Sequence, residues 1–135
     1  MPEMAGFSHV ALSVTNLDRS KQWYQEVLGV QVLAEGEEEA LHYVVTIHPS
    51  GMIIGLREFK SSAGEAFSPE RTGLDHLSFG VTSRAELEKW QAHFEEKGVT
   101  FTPLIDSDYG HHINLKDPDN IALEMFALKE GLSVG

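Results

Sequence analysis

The chain has 135 residues and a mass of 15.0 kDa, a length at which one compact domain is the default. Its 41% hydrophobic and 23% charged residues are ordinary globular usage, and a net charge of −11 argues against nucleic-acid backbones and anionic membranes as partners. The absence of cysteine excludes disulfides, thiolate metal sites and cysteine nucleophiles, and no apolar run approaches the ~20 residues of a membrane span.

Met1-Pro2-Glu3-Met4 has neither the basic region nor the apolar core of a signal peptide, so a soluble cytoplasmic protein is expected. From Phe7 to Thr15 residues alternate with period two: Val10, Leu12 and Val14 share one face of a strand, and His9, Ala11 and Ser13 the other. Asn16 is a suitable N-cap for a helix from Leu17 to Leu28, where Leu17, Trp23, Tyr24, Val27 and Leu28 keep helical spacing and Gly29 suits a left-handed C-cap. Three strands are predicted next, over Val30–Ala34, Leu41–His48 and Met52–Glu58, with turns at Glu35–Glu39 and Pro49-Ser50-Gly51. Residues 60–72, rich in Ser, Gly, Ala and Glu, read as a linker.

The pattern then starts again. Leu77, Phe79 and Val81 oppose His76, Ser78 and Gly80, and Ser83-Arg84-Ala85-Glu86 forms a capping box for a helix to about Lys97. That helix carries Leu87, Trp90 and Phe94 at helical spacing and ends at Gly98. Strands are predicted over Thr100–Leu104, His111–Lys116 and Ile121–Ala127, with turns at Ser107–Gly110 and Asp117–Asn120; the tail after Lys129 has no periodic pattern. The order β-α-β-β-β therefore occurs twice, and at an offset of 67 positions His9/His76, Val14/Val81, Thr15/Thr82 and Trp23/Trp90 coincide. The whole chain reads as a single domain of two modules, about 6–59 and 73–128, and neither half would comfortably bury its sheet alone.

If the helices cover the apolar strand faces, His9 and His76 take the opposite, concave face. On the last strand, Ile121, Leu123 and Met125 join the covered side, which leaves Ala122, Glu124 and Phe126 with the histidines. Two histidines and a carboxylate, each on a strand, have the composition of a facial triad with open coordination positions. A carboxylate in an otherwise apolar strand also wants a cation. Further residues expected on this face are His42, Thr46, His48, Arg57, His112, Asn114 and Lys116, with Tyr109 and Phe126 as a possible apolar wall. His93, on a helix, is expected to touch neither metal nor substrate.

Ser8-His9-Val10-Ala11-Leu12-Ser13-Val14, Trp23-Tyr24, Val27-Leu28-Gly29-Val30, Leu74-Asp75-His76-Leu77-Ser78-Phe79 and Lys116-Asp117-Pro118-Asp119-Asn120-Ile121-Ala122-Leu123-Glu124 resemble the vicinal oxygen chelate superfamily. This group includes glyoxalase I, fosfomycin resistance proteins, methylmalonyl-CoA epimerase, extradiol ring-cleaving dioxygenases and bleomycin resistance proteins. The likeness runs from about Gly6 to Ala127. It implies an α+β fold in which two paired βαβββ modules form a curved mixed β-sheet cavity flanked by helices. It also implies a divalent metal ion (Ni, Co, Mn, Zn or Fe(II)) held by His9, His76 and Glu124, with Glu124 doubling as base.

Two positions depart from the better-known members. The fourth ligand of glyoxalase I falls on Gly55, with Arg57 on the same face and Glu58 pointing away, and the Thr that fosfomycin enzymes carry two residues after the first His is Ala11. The activity implied first is a metal-dependent, glyoxalase-like lyase or isomerase acting on a small dicarbonyl or its thiol adduct. A ring-cleaving dioxygenase, a thiol transferase or a metal-free drug- or metabolite-binding protein are the alternatives. A thiol cosubstrate is left open. The resemblance further implies a homodimer, with the modules paired either within a chain or between chains.

Overall fold

In the computed structural model, which describes residues 1–132, the chain divides into two compact units with the boundary between Glu65 and Ala66. The last three residues of the patternless tail lie outside the described residues. The boundary falls inside the segment expected as a linker, and the part after it is tied to the second unit. Phe67 N donates to Asp119 O at 2.9 Å, and Asn120 Nδ2 donates to Phe67 O at 3.2 Å.

The first unit runs β1 (Val10–Ser13), α1 (Leu17–Leu28), β2 (Gln31–Glu37), β3 (Leu41–Ile47) and β4 (Ile53–Phe59). Its four strands lie in the order β1-β4-β3-β2, parallel between β1 and β4 and antiparallel elsewhere. Asn16 caps α1 by accepting from Arg19 N, and Gly29 ends it at φ 75°, a conformation that glycine adopts without the Cβ penalty. Leu12, Val44, Ile54 and Leu56 form the strand side of the core, and Tyr24, Val27 and Leu28 the helix side, each 4% exposed or less. Burying side chains of this kind stabilises by about 1.5–3 kcal/mol each.

Two expectations for this unit change. β2 runs on to Glu37, so Glu35 and Glu37 belong to the strand and not to its turn; ion pairs from Lys21 to Glu35 (2.9 Å) and from Lys60 to Glu37 (2.7 Å) offset the charge of this edge strand. The register shifts between Val32 and Ala34, which leaves Leu33 as a bulged residue, 58% exposed. On β3 the polar residues do not face away from α1. His42, Val44 and Thr46 pair with Glu58, Leu56 and Ile54, so they share the helix-packed face, and Tyr43, Val45 and Ile47 take the other. Thr46 tolerates full burial because its hydroxyl donates to Ile54 O at 2.9 Å. Polarity alone misassigned this strand because both of its faces carry apolar residues.

The second unit repeats the plan with β5 (Leu77–Gly80), α2 (Arg84–Lys97), β6 (Ile105–Asp106), β7 (Gly110–Lys116) and β8 (Ala122–Leu128), in the strand order β5-β8-β7-β6. Ser83 accepts from Glu86 N at the start of α2, and Gly98 closes it at φ 67°. Leu87 and Phe94 from the helix and Ile113, Leu115 and Leu123 from the strands are buried to within 1%. The strand expected over Thr100–Leu104 is reduced to a single bridge between Phe101 and Leu115, followed by the two-residue β6. Pro103 is the physical cause: it has no N–H for the ladder and constrains Thr102 before it. Leu104 N is satisfied by Gln91 Oε1 on α2 instead, at 2.8 Å.

Candidate functional site

The second unit assembles a polar cluster on the sheet face away from α2. Asp117 begins it: its Oδ1 accepts from Asp119 N and Ile121 N, both at 2.8 Å, and Asn120 turns the chain at φ 66°. This turn launches β8 with Leu123, Met125 and Ala127 inward, so Glu124 and Phe126 take the opposite face. β5 lies parallel to β8 with Ser78 level with Glu124 and Leu77 level with Leu123, which sets His76 one residue before, beside the same stretch of β8.

His76 Nε2 stands 3.9 Å from Glu124 Oε1. The ring is held by its other nitrogen, Nδ1, 2.7 Å from Asp75 Oδ1. Ser78 Oγ donates to the same Glu124 oxygen at 2.8 Å. The Glu124 side chain is 17% exposed and that of His76 48%, so the pair is accessible yet partly sheltered. On the adjacent strand Asn114 is in register with Glu124 and Lys116 with Ala122, and the rings of His112 and Phe126 stack at 6.5 Å with 15° between planes. Tyr109, 73% exposed, sits in the turn before β7.

Imidazole and carboxylate are donor types that a divalent ion takes. Metal bonds to them are about 2.0–2.2 Å, which sets tetrahedral donors about 3.4 Å apart, so His76 Nε2 and Glu124 Oε1, 3.9 Å apart, would close by about half an ångström on an ion. A metal-ligating imidazole also characteristically gives its second nitrogen to a carboxylate, as His76 does to Asp75.

In the first unit, His9 directly precedes β1, on the face away from α1, and its Nδ1 lies 2.9 Å from Ser8 Oγ. Ala11 is level with Gly55, and Ser13 with Arg57 and, one strand further, Tyr43. The Arg57 guanidinium lies over the Phe59 ring at 5.9 Å. His42, Thr46 and His48 are not with His9. His42 lines a hollow of about 460 Å³ near the start of α1, together with Asp18, Glu35, Glu37 and Glu58. Thr46 is in the core, and His48 is bound into its turn by Ser50 Oγ at 2.8 Å. The structure thus brings together His76 and Glu124 of the three expected ligands. Among the described residues, no group of three or more His, Asp or Glu side chains is placed to hold a metal ion.

The residues that sequence reasoning passed over are Asp75, Ser78 and Ser8, the groups that orient the ligands. For Ser8 and Asp75 the signal was adjacency, since each directly precedes the histidine whose Nδ1 it meets; Ser78 bonds a residue 46 positions away and left no such signal. Glu58 was left without a role, and it has one: its Oε1 accepts from Leu17 N at 2.8 Å, at the first turn of α1. Beyond the site, hydrogen bonds from Arg84 and then His111 hold the Asp106 carboxyl below its ordinary range.

A family model described as "Glyoxalase/Bleomycin resistance protein/Dioxygenase superfamily" matches residues 6–125. The chain belongs to this superfamily. The chain is 32% identical over 122 residues to YwkD of Bacillus subtilis (strain 168), covering 87% of this chain and 93% of that protein. It is 30% identical over 126 residues to catechol-2,3-dioxygenase of the same organism, covering 88% of this chain but only 40% of the dioxygenase's length. Among solved structures, a glyoxylase/bleomycin resistance protein/dioxygenase domain from Frankia sp. EAN1pec superposes with a TM-score of 0.90 at 36% identity, covering 96% of each chain. The fosfomycin resistance protein FosX from Listeria monocytogenes, solved with Mn(II) and sulfate, shares the fold with a TM-score of 0.71 at 19% identity, over 95% of this chain and 96% of that one. Two four-stranded mixed sheets, each with its helix, are the α+β architecture of this superfamily. Among the described residues, no helix is long and apolar enough to cross a membrane.

Proposed function

We propose that the protein is a metal-dependent enzyme of glyoxalase-like lyase or isomerase type, acting on a small substrate with vicinal oxygens, such as a dicarbonyl or its thiol adduct. The observation that carries this reading is the His76–Glu124 pair, with His76 oriented by Asp75. His76 and Glu124 would hold a divalent ion, with His9, from the first half of this or a second chain, as third ligand. Such an ion supplies Lewis acidity toward the two substrate oxygens and stabilises negative charge as it develops on them. The protein's own part is positional: Asp75 fixes the His76 ring, and Ser78 occupies Glu124 Oε1, which leaves Oε2 as the oxygen that takes a proton from substrate. A thiol cosubstrate would be part of the substrate adduct, and a homodimer is the proposed assembly.

The test offers Ni, Co, Mn, Zn and Fe(II) in turn to chelator-treated protein. One ion per site is expected to bind, and His76→Ala and Glu124→Ala are expected to abolish it. The reading is overturned if the wild type binds none, or if both variants bind as it does. Turnover of methylglyoxal–thiol adducts by the loaded protein tests the reaction class. The second reading, a ring-cleaving dioxygenase, draws on the similarity to catechol-2,3-dioxygenase, and it predicts Fe(II)-dependent oxygen consumption with catechols in place of that turnover.

A further inference from the structure

The first unit's sheet face away from α1 has a polarity that its register makes explicit. His9 lies at one end, four residues before the row Ser13–Arg57–Tyr43, a separation along the sheet of about 13 Å at ~3.3 Å per residue. Between them lies the row Ala11, Gly55 and Val45, with Ile53 and Ile47 one row earlier at the His9 end, all apolar. A Cβ added at Gly55 would meet Ala11 Cβ at 3.4 Å, an ordinary contact, so a side chain is sterically allowed there and its absence keeps the floor low.

Arg57 is the sole Lys, Arg, Asp or Glu among these strand positions. In a chain with 21 Asp and Glu against ten Lys and Arg, it forms no ion pair with any of them among the described residues. Lys21, Lys60, Arg84 and Lys89 have carboxylate partners; Lys97, Lys116 and Lys129 share the lack of one among the described residues, but among these cations Arg57 alone stands on this sheet face. Arg57 rests on the Phe59 ring, which orients the guanidinium without consuming its hydrogen-bond donors. Tyr43 leans the other way: a Cβ on Gly36 would come within 2.6 Å of the Tyr43 hydroxyl, so the phenol lies across Gly36 on β2. An arginine with its fork uncommitted, at the end of an apolar floor, suits a planar oxyanion.

We propose that the substrate is an elongated anion, its vicinal oxygens at the His9 end, its middle apolar, and a carboxylate or similar oxyanion bound by Arg57. This rests on the metal-dependent reading above and adds the substrate's charge and length to it. Arg57 is then a specificity residue, remote from the reacting atoms.

Two hydroxamates of equal chain length, octanedioic acid monohydroxamate and octanohydroxamate, offer the same vicinal oxygens and differ by one terminal carboxylate. Calorimetry on Ni(II)-loaded protein is expected to show the anionic one binding at least tenfold tighter. Arg57→Gln should remove that preference and leave octanohydroxamate within twofold, and Arg57→Lys should restore part of it. Equal binding of both by the wild type, or equal loss of both in Arg57→Gln, overturns the proposal. If neither hydroxamate binds, the metal reading fails, and octanoate added to metal-free protein decides the anion site by itself. A saturable shift of the Arg57 Nε–H resonance upholds the anion site, and an unmoved resonance overturns it.

Discussion

Level with each other across the sheet, the first unit places Ala11 beside Gly55, and the second places Ser78 beside Glu124. The next row carries Arg57 and Tyr43 in the first unit, where the second has Phe126 and His112. Strand order is the same in both units, and so is the register among the three strands other than β2 and β6, so at these positions the difference lies in side chains. The second unit carries a carboxylate beside its histidine, and the first has glycine at that position and a cation one row further along. The backbone plan is therefore indifferent to the chemistry on its uncovered face, provided the helix-packed face stays apolar.

The sharpest break in the likeness is structural. Leu41 in β3 and Gly110 in β7 occupy equivalent places, opposite Phe59 and Leu128. A Cβ at Gly110 would come 2.2 Å from Ala127 O and 2.9 Å from Phe126, so Gly110→Ala should cost about 3 kcal/mol in chemical denaturation. Wild-type stability in that variant would show that β7 can shift where β3 does not.

Next come the orienting groups. Asp75→Asn should weaken metal binding by about 10–100-fold with the fold intact, read by calorimetry. Ser8→Ala, at the equivalent position beside His9, should cost less, because a hydroxyl fixes an imidazole less strongly than a carboxylate does. Equal losses would remove the distinction drawn between the halves.

Glu58 marks a third asymmetry, since its counterpart in β8 is the buried Ala127. Glu58→Gln should lower stability by about 1 kcal/mol through weaker interaction with the N-terminus of α1. Loss of helix protection in hydrogen exchange should be confined to the first turn of α1.

The smallest effect concerns pH. The Arg84 and His111 hydrogen bonds depress the Asp106 carboxyl, so the folded form binds that proton less readily than the unfolded form. The stabilisation is present above the ordinary carboxylate range and is lost as pH falls through the depressed value. Arg84→Ala should move the Asp106 titration upward, as followed by carboxyl NMR. An unchanged midpoint would show that Arg84 is not what holds it down.

The amino-acid sequence alone determined the repeat, the two helices with their caps, and the placement of Glu124 on a strand; His9 and His76, expected on strands as well, immediately precede β1 and β5. Those features depend on local capping chemistry and on short-range periodicity, which a single chain displays directly. Tertiary structure decided the rest. It moved His42, Thr46 and His48 away from His9, because a central strand with two apolar faces shows its orientation only through the partners in its register. It reduced one expected strand to a bridge at Pro103, and it brought Asp75, His76, Ser78 and Glu124, which stand up to 49 positions apart in the chain, into one cluster of two hydrogen-bonded pairs. Contacts of that separation are set by strand pairing, and no local pattern records them.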